Sequence, residues 1–65
     1  MKIKYQGKDT ETGAANVATF LEEKDIPANE TVIELDGEII TADAASGTPI
    51  REGAELNAFR IVAGG

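Results

Sequence analysis

Two glycines, Gly64 and Gly65, close the chain directly after a strand-like run from Leu56 to Ala63. A residue pair without side chains passes through slots too narrow for any other residue. It also sets a lone α-carboxylate at the tip of an extended arm. At about 3.3 Å per extended residue, Val62, Ala63, Gly64 and Gly65 carry that tip roughly 13 Å beyond the strand. An enzyme that encloses the tip can then act on the carboxylate. The competing reading is a frayed terminus, the place where disorder ordinarily concentrates. At a mean glycine usage of about 7%, two terminal glycines arise by chance in roughly one chain in 200, so the pair takes its meaning from its context.

The remaining composition says which side of a reaction this chain stands on. Its 65 residues include no cysteine and no histidine. That removes the thiolate nucleophile and the disulfide, and with them the commonest general base and metal ligand. A domain of this size buries only about 60% of the surface its unfolded chain exposes, which leaves no room for both a core and a deep substrate pocket. The expectation is a protein that is acted upon, not an enzyme, with no cofactor of its own. A net charge of −6 argues against nucleic acid, whose phosphates need clustered Lys and Arg, and suits docking on a basic partner. The longest apolar runs are too short for a membrane span, and no basic-then-apolar leader follows Met1. The expected compartment is the cytosol. The expected organisation is one domain over residues 1–65, with 62–65 a flexible tail.

The elements that must position the arm follow from periodicity. Met1, Ile3 and Tyr5 alternate with Lys2, Lys4 and Gln6, a half-buried strand. Gly7-Lys8-Asp9 reads as a turn, and Thr10 to Thr12 as a short second strand. Asn16 is placed to cap a helix whose apolar stripe is Val17, Phe20 and Leu21. Glu22, Glu23 and Asp25 read as its solvated face, and Pro27 prevents its continuation. Thr31 to Leu35 is β-branched and alternating, hence a strand. Asp36-Gly37 signals a tight turn into a short partner strand, Glu38 to Ile40. Thr41 to Thr48 reads as a loop with one helical turn around Asp43 to Ala45. Ile50 plugs the core, Glu52-Gly53 turns the chain, and the last strand runs from about Glu55 to Val62.

One helix on one face of a mixed sheet of four to five strands is a two-layer α+β architecture, and this element order predicts a β-grasp with the first and last strands parallel at its centre. Period two then divides the last strand. Charged and amide side chains are rarely buried unpaired, so Glu55 and Asn57 face water while Leu56 and Ala58 face the helix. Phe59 and Ile61 share the wet side. By the same logic Ile33 and Leu35 point inward and Val32 and Glu34 outward. The expectation is an apolar docking patch of Phe59 and Ile61, widened by Val32 and bordered by Glu34, at the base of the arm.

With these residues in place, the chain resembles the ThiS family of ubiquitin-like sulfur carriers. The resemblance is most specific in Ile50-Arg51-Glu52-Gly53-Ala54-Glu55-Leu56, the turn into the final strand, and in Phe59-Arg60-Ile61-Val62-Ala63-Gly64-Gly65, the closing segment. Leu35-Asp36-Gly37-Glu38-Ile39-Ile40 resembles the family's middle hairpin. The resemblance implies a carrier cycle. An adenylating enzyme similar to ubiquitin-activating (E1-like) enzymes uses ATP to activate the Gly65 carboxylate. A sulfur donor converts the acyl-adenylate to a thiocarboxylate, and an acceptor such as thiazole synthase receives the sulfur for thiamin biosynthesis. ATP belongs to the activating partner. Three other readings stay open on the residues: a carrier like the small subunit of molybdopterin synthase, a ubiquitin-like protein modifier joined to a lysine through Gly65, and a β-grasp binding module with an incidental Gly-Gly.

Overall fold

The computed structural model describes residues 1–60. Alternating apolar and lysine residues form β1 (Lys2–Tyr5), and the chain reverses at Gln6 and Gly7 into β2 (Lys8–Glu11). Both turn residues have positive φ, 54° and 79°, the backbone whose twist matches a two-residue hairpin. The turn therefore falls earlier than Gly7-Lys8-Asp9. Lys8 and Asp9 belong to the second strand, opposite Tyr5 and Lys4, and Thr12 lies beyond it.

Helix α1 (Val17–Glu23) starts where Asn16 Oδ1 accepts the Thr19 N–H at 2.8 Å. Its buried stripe is Val17, Phe20 and Leu21. The helix stops ahead of Pro27 by a device of its own. Asp25 turns left-handed at φ 58°, its N–H donates to the Glu22 carbonyl, and the Ile26 N–H donates to the Leu21 carbonyl at 2.8 Å. This is a Schellman closure with aspartate in the place that glycine usually takes. Glu23 is more than a solvated charge, because it accepts the Thr12 hydroxyl at 2.8 Å while that hydroxyl accepts the Ala14 N–H. The buried Thr12 is thus satisfied on both sides and ties the end of the helix to the segment before it.

A 3-10 turn at Ala28–Glu30, unsignalled by periodicity, leads into β3 (Thr31–Leu35). Asp36 and Gly37, at φ 51° and 87°, reverse the chain into β4 (Glu38–Ile40). The following loop carries a 3-10 segment over Ala42–Gly47, longer than a single turn, and buries Ala45. Ile50 and Ala54 are buried on either side of the Gly53 turn, and β5 (Glu55–Arg60) follows. The expected continuation of this strand to Val62 lies outside the described residues.

The sheet order is β2-β1-β5-β3-β4. β1 and β5 are parallel, with Lys4 beside Glu55 and Tyr5 beside Leu56. β3 runs antiparallel to β5 from Thr31↔Arg60 to Leu35↔Leu56. The core lies between this mixed sheet and α1, where Ile3, Ile33, Leu35 and Leu56 meet Val17, Phe20 and Leu21. Tyr5 closes one side, its ring edge-on to Phe20 at 5.1 Å. First and last strands parallel at the centre, with a helix across one face, make this a β-grasp of the α+β class.

Candidate functional site

Residues 61–65 continue from the end of β5, so the base of the site is built by that strand and its neighbours. As the middle strand of five, β5 is paired on both flanks, the arrangement in which backbone opens least. Its inward residue Leu56 is fully buried. Its outward residues are Glu55, Asn57 and Phe59.

The register assembles the wet face. Val32 stands opposite Phe59 and Glu34 opposite Asn57, and the Asn57 Nδ2 donates to Glu34 Oε1 at 3.2 Å. Val32 and Glu34 are half-buried, whereas Phe59 is 54% exposed. Phe59, Val32 and Glu34 thus share one face, away from α1. The expectations for Ile61, Val62, Ala63, Gly64 and Gly65 lie outside the described residues.

One apolar residue of this face escaped the sequence reading. Ile39 is 61% exposed, sits opposite Glu34 and is therefore diagonal to Val32. The signal was present in the adjacent pair Ile39-Ile40, since alternation must send one of them outward. Which one depends on β3, where Ile40 pairs with the buried Ile33. Phe59, Val32 and Ile39 form the apolar part of the face, and the hydrogen-bonded Glu34–Asn57 pair adjoins them.

At the other end of β5, an open depression of ≈ 320 Å³ is lined by Lys2, Ile3, Lys4, Asp9, Glu52, Gly53 and Glu55. It sets two lysines against three carboxylates and holds no hydroxyl, thiol or imidazole. The Lys2 N–H donates to Glu52 Oε2 at 3.1 Å within it. Among the described residues, no group of three His, Cys, Asp or Glu is arranged to hold a metal ion, and no helix is long and apolar enough to cross a membrane.

Known proteins share both the sequence pattern and this geometry. The ThiS family model matches residues 3–65, a span that includes the closing glycines. The crystal structure of a thiamine biosynthesis protein (ThiS) from Geobacter metallireducens is similar at a TM-score of 0.86 and 26% identity, over 100% of both chains. The NMR solution structure of a thiamine biosynthesis protein from the same organism is similar at a TM-score of 0.79 and 25% identity, over 100% of this chain and 88% of the other. Among curated proteins, no relative matches. The family pattern runs through nearly the whole sequence and the solved structures share the fold, so the chain belongs to the ThiS family of small ubiquitin-like sulfur carriers.

Proposed function

We propose that this chain carries sulfur for thiamine biosynthesis on the C-terminal carboxyl group of Gly65. The observation that carries this reading is the family match through residue 65, with Gly64-Gly65 following closely on the central strand of the sheet. A carboxylate is ionised at neutral pH and is a poor electrophile. In the proposed cycle a carboxylate oxygen attacks the α-phosphorus of ATP in an E1-like partner and pyrophosphate leaves. A sulfide-level sulfur nucleophile (HS−) then attacks the carbonyl carbon, AMP leaves with the bonding electron pair, and loss of the sulfur's proton gives a thiocarboxylate. When the sulfur passes to an acceptor such as a thiazole synthase, the C–S bond breaks and an oxygen from water or from the acceptor takes its place on the carbonyl carbon, which regenerates the carrier carboxylate. The chain supplies the reacting carbonyl and a surface to grip. The activating partner supplies ATP and the electrostatic stabilisation of the transferred groups.

The slender tip explains why glycine is needed at both final positions, since a catalytic enclosure must close around bare backbone. The exposed Phe59, beside Val32 and near Glu34, supports a docking role for the wet face, because a partner that grips the arm also meets its base. The family match favours a thiazole-forming acceptor over a molybdopterin one.

Intact mass of protein purified from its native host tests the carrier directly: the expected species has one sulfur in place of one oxygen, and lysine-linked ladders would indicate a modifier instead. Deleting Gly65, or adding a residue after it that no protease removes, should abolish ATP–pyrophosphate exchange by the activating enzyme. Undiminished exchange would refute the mechanism.

A further inference from the structure

The proposed cycle needs residues 61–65 to be presented to the partner in a fixed direction, which depends on how firmly β5 is held up to Arg60. On one flank, β3 holds β5 as far as Thr31↔Arg60. On the other flank the support is shorter. β1 pairs Lys4 and Tyr5 with Glu55 and Leu56, the Gln6 N–H reaches the Leu56 carbonyl at 3.0 Å, and the chain then turns away at Gln6-Gly7. Among the described residues no main chain of β1 meets Ala58.

The Gln6 side chain meets it instead. Its Nε2 donates to the Ala58 carbonyl at 2.8 Å, and its Oε1 accepts the Ala58 N–H at 3.2 Å. A primary amide presents the same donor and acceptor as a peptide unit, so Gln6 adds one rung to the parallel ladder after its own strand has ended.

The choice of residue is otherwise odd. A two-residue hairpin loop with positive φ at both positions favours Asn, Asp or Gly at the first, and the other such loop in this protein uses Asp36-Gly37. Glutamine is the poorer turn former, and its left-handed backbone is a small stored cost. It is one methylene longer than asparagine, and that length is what spans to Ala58.

We propose that Gln6 is a positioning residue for the C-terminal arm: its side-chain amide clamps Ala58, holds the end of β5 against β1, and so sets the line along which residues 61–65 are delivered to the activating enzyme. This inference rests on the sulfur-carrier reading.

Gln6→Asn and Gln6→Gly test it, because both suit the turn and neither can bridge to Ala58. Amide hydrogen exchange on the free protein is the first readout. The loss of two exposed hydrogen bonds should speed exchange at Ala58 about 3- to 10-fold, while Ile33 and Phe20 keep their protection. ATP–pyrophosphate exchange is the second, where kcat should fall about threefold with KM little changed, since the docking face is intact. Unchanged exchange at Ala58 in both variants overturns the clamp. So does acceleration spread evenly over the sheet with a matching fall in Tm, which is the mark of a merely structural residue. Faster exchange at Ala58 with undiminished kcat overturns the positioning role. If the wild-type chain is not activated at all, the carrier reading fails, and the exchange data alone decide for or against the clamp.

Discussion

Phe59 and Ile39 present large apolar side chains to water from the face of the sheet that α1 leaves uncovered. An exposed residue contributes little to folding, so Phe59→Asp and Ile39→Asp should each change stability by no more than about 0.5–1 kcal/mol. If this face docks on the activating partner, the same substitutions should weaken binding roughly tenfold or more, as central anchors do. Titration of each variant against the partner, with a thermal melt beside it, checks both halves; unchanged affinity would remove Phe59 from the site. Asp36 is a residue of another kind. Its backbone N–H donates to the Glu55 carbonyl and its Oδ1 accepts the Glu55 N–H at 2.9 Å, so one turn residue grips the start of β5 twice. Asp36→Gly loses the side-chain bond, about 1 kcal/mol, but relieves the left-handed strain, so its net change should be small. Asp36→Ala loses that bond and keeps the left-handed strain at φ 51° that glycine relieves, so it should be roughly 1 kcal/mol less stable than Asp36→Gly. Urea midpoints that rank the two variants equally would argue against strain at this turn.

At the scale of elements, α1 has seven residues, too few for a helix to persist alone in water. Its existence depends on its ends and on the stripe it buries. Asn16→Ala removes the bond to the Thr19 N–H and should cost about 1 kcal/mol. At the other end Asp25→Gly relieves a left-handed aspartate at φ 58° and should stabilise the protein by up to about 1 kcal/mol, less what glycine gives back in unfolded-chain entropy. Both effects belong in the urea midpoint at constant m-value; a destabilised Asp25→Gly would show that the aspartate side chain contributes more than its backbone costs. The sheet edges are guarded in two ways. β2 reads Lys8-Asp9-Thr10-Glu11 and is charged, while β4 is only three residues long, and charge and brevity both discourage strand addition.

For the whole molecule, the margin of stability is small. At about 0.05–0.15 kcal/mol per residue, a chain of this length holds on the order of 3–10 kcal/mol. Leu56 is fully buried in the central strand, between Ile3 of β1 and Ile33 and Leu35 of β3. Leu56→Ala should cost about 3 kcal/mol or more, a large share of the total, and the melting temperature followed by circular dichroism should fall by roughly 12–24 °C. A melt within a few degrees of wild type would contradict the packing described. How much of this architecture was legible beforehand depends on how far each interaction reaches along the chain. Solvation of Glu34, Glu55 and Asn57 orients their strands whatever the neighbours are, so the inward set of Ile33, Leu35 and Leu56 followed from alternation alone. The Asn16 cap and the Asp36-Gly37 turn are likewise local, made within a few bonds of the residues that signal them. The position of the first turn, the outward face of Ile39 in the Ile39-Ile40 pair, and the bond of Gln6 to Ala58 were not legible. Each is set by strand pairing, and in the last case the partners lie 52 residues apart. Local chemistry determined what each segment would become and which side it would wet; only the assembled sheet, by bringing distant segments into register, decided which polar and apolar side chains stand together where the chain runs on toward Gly65.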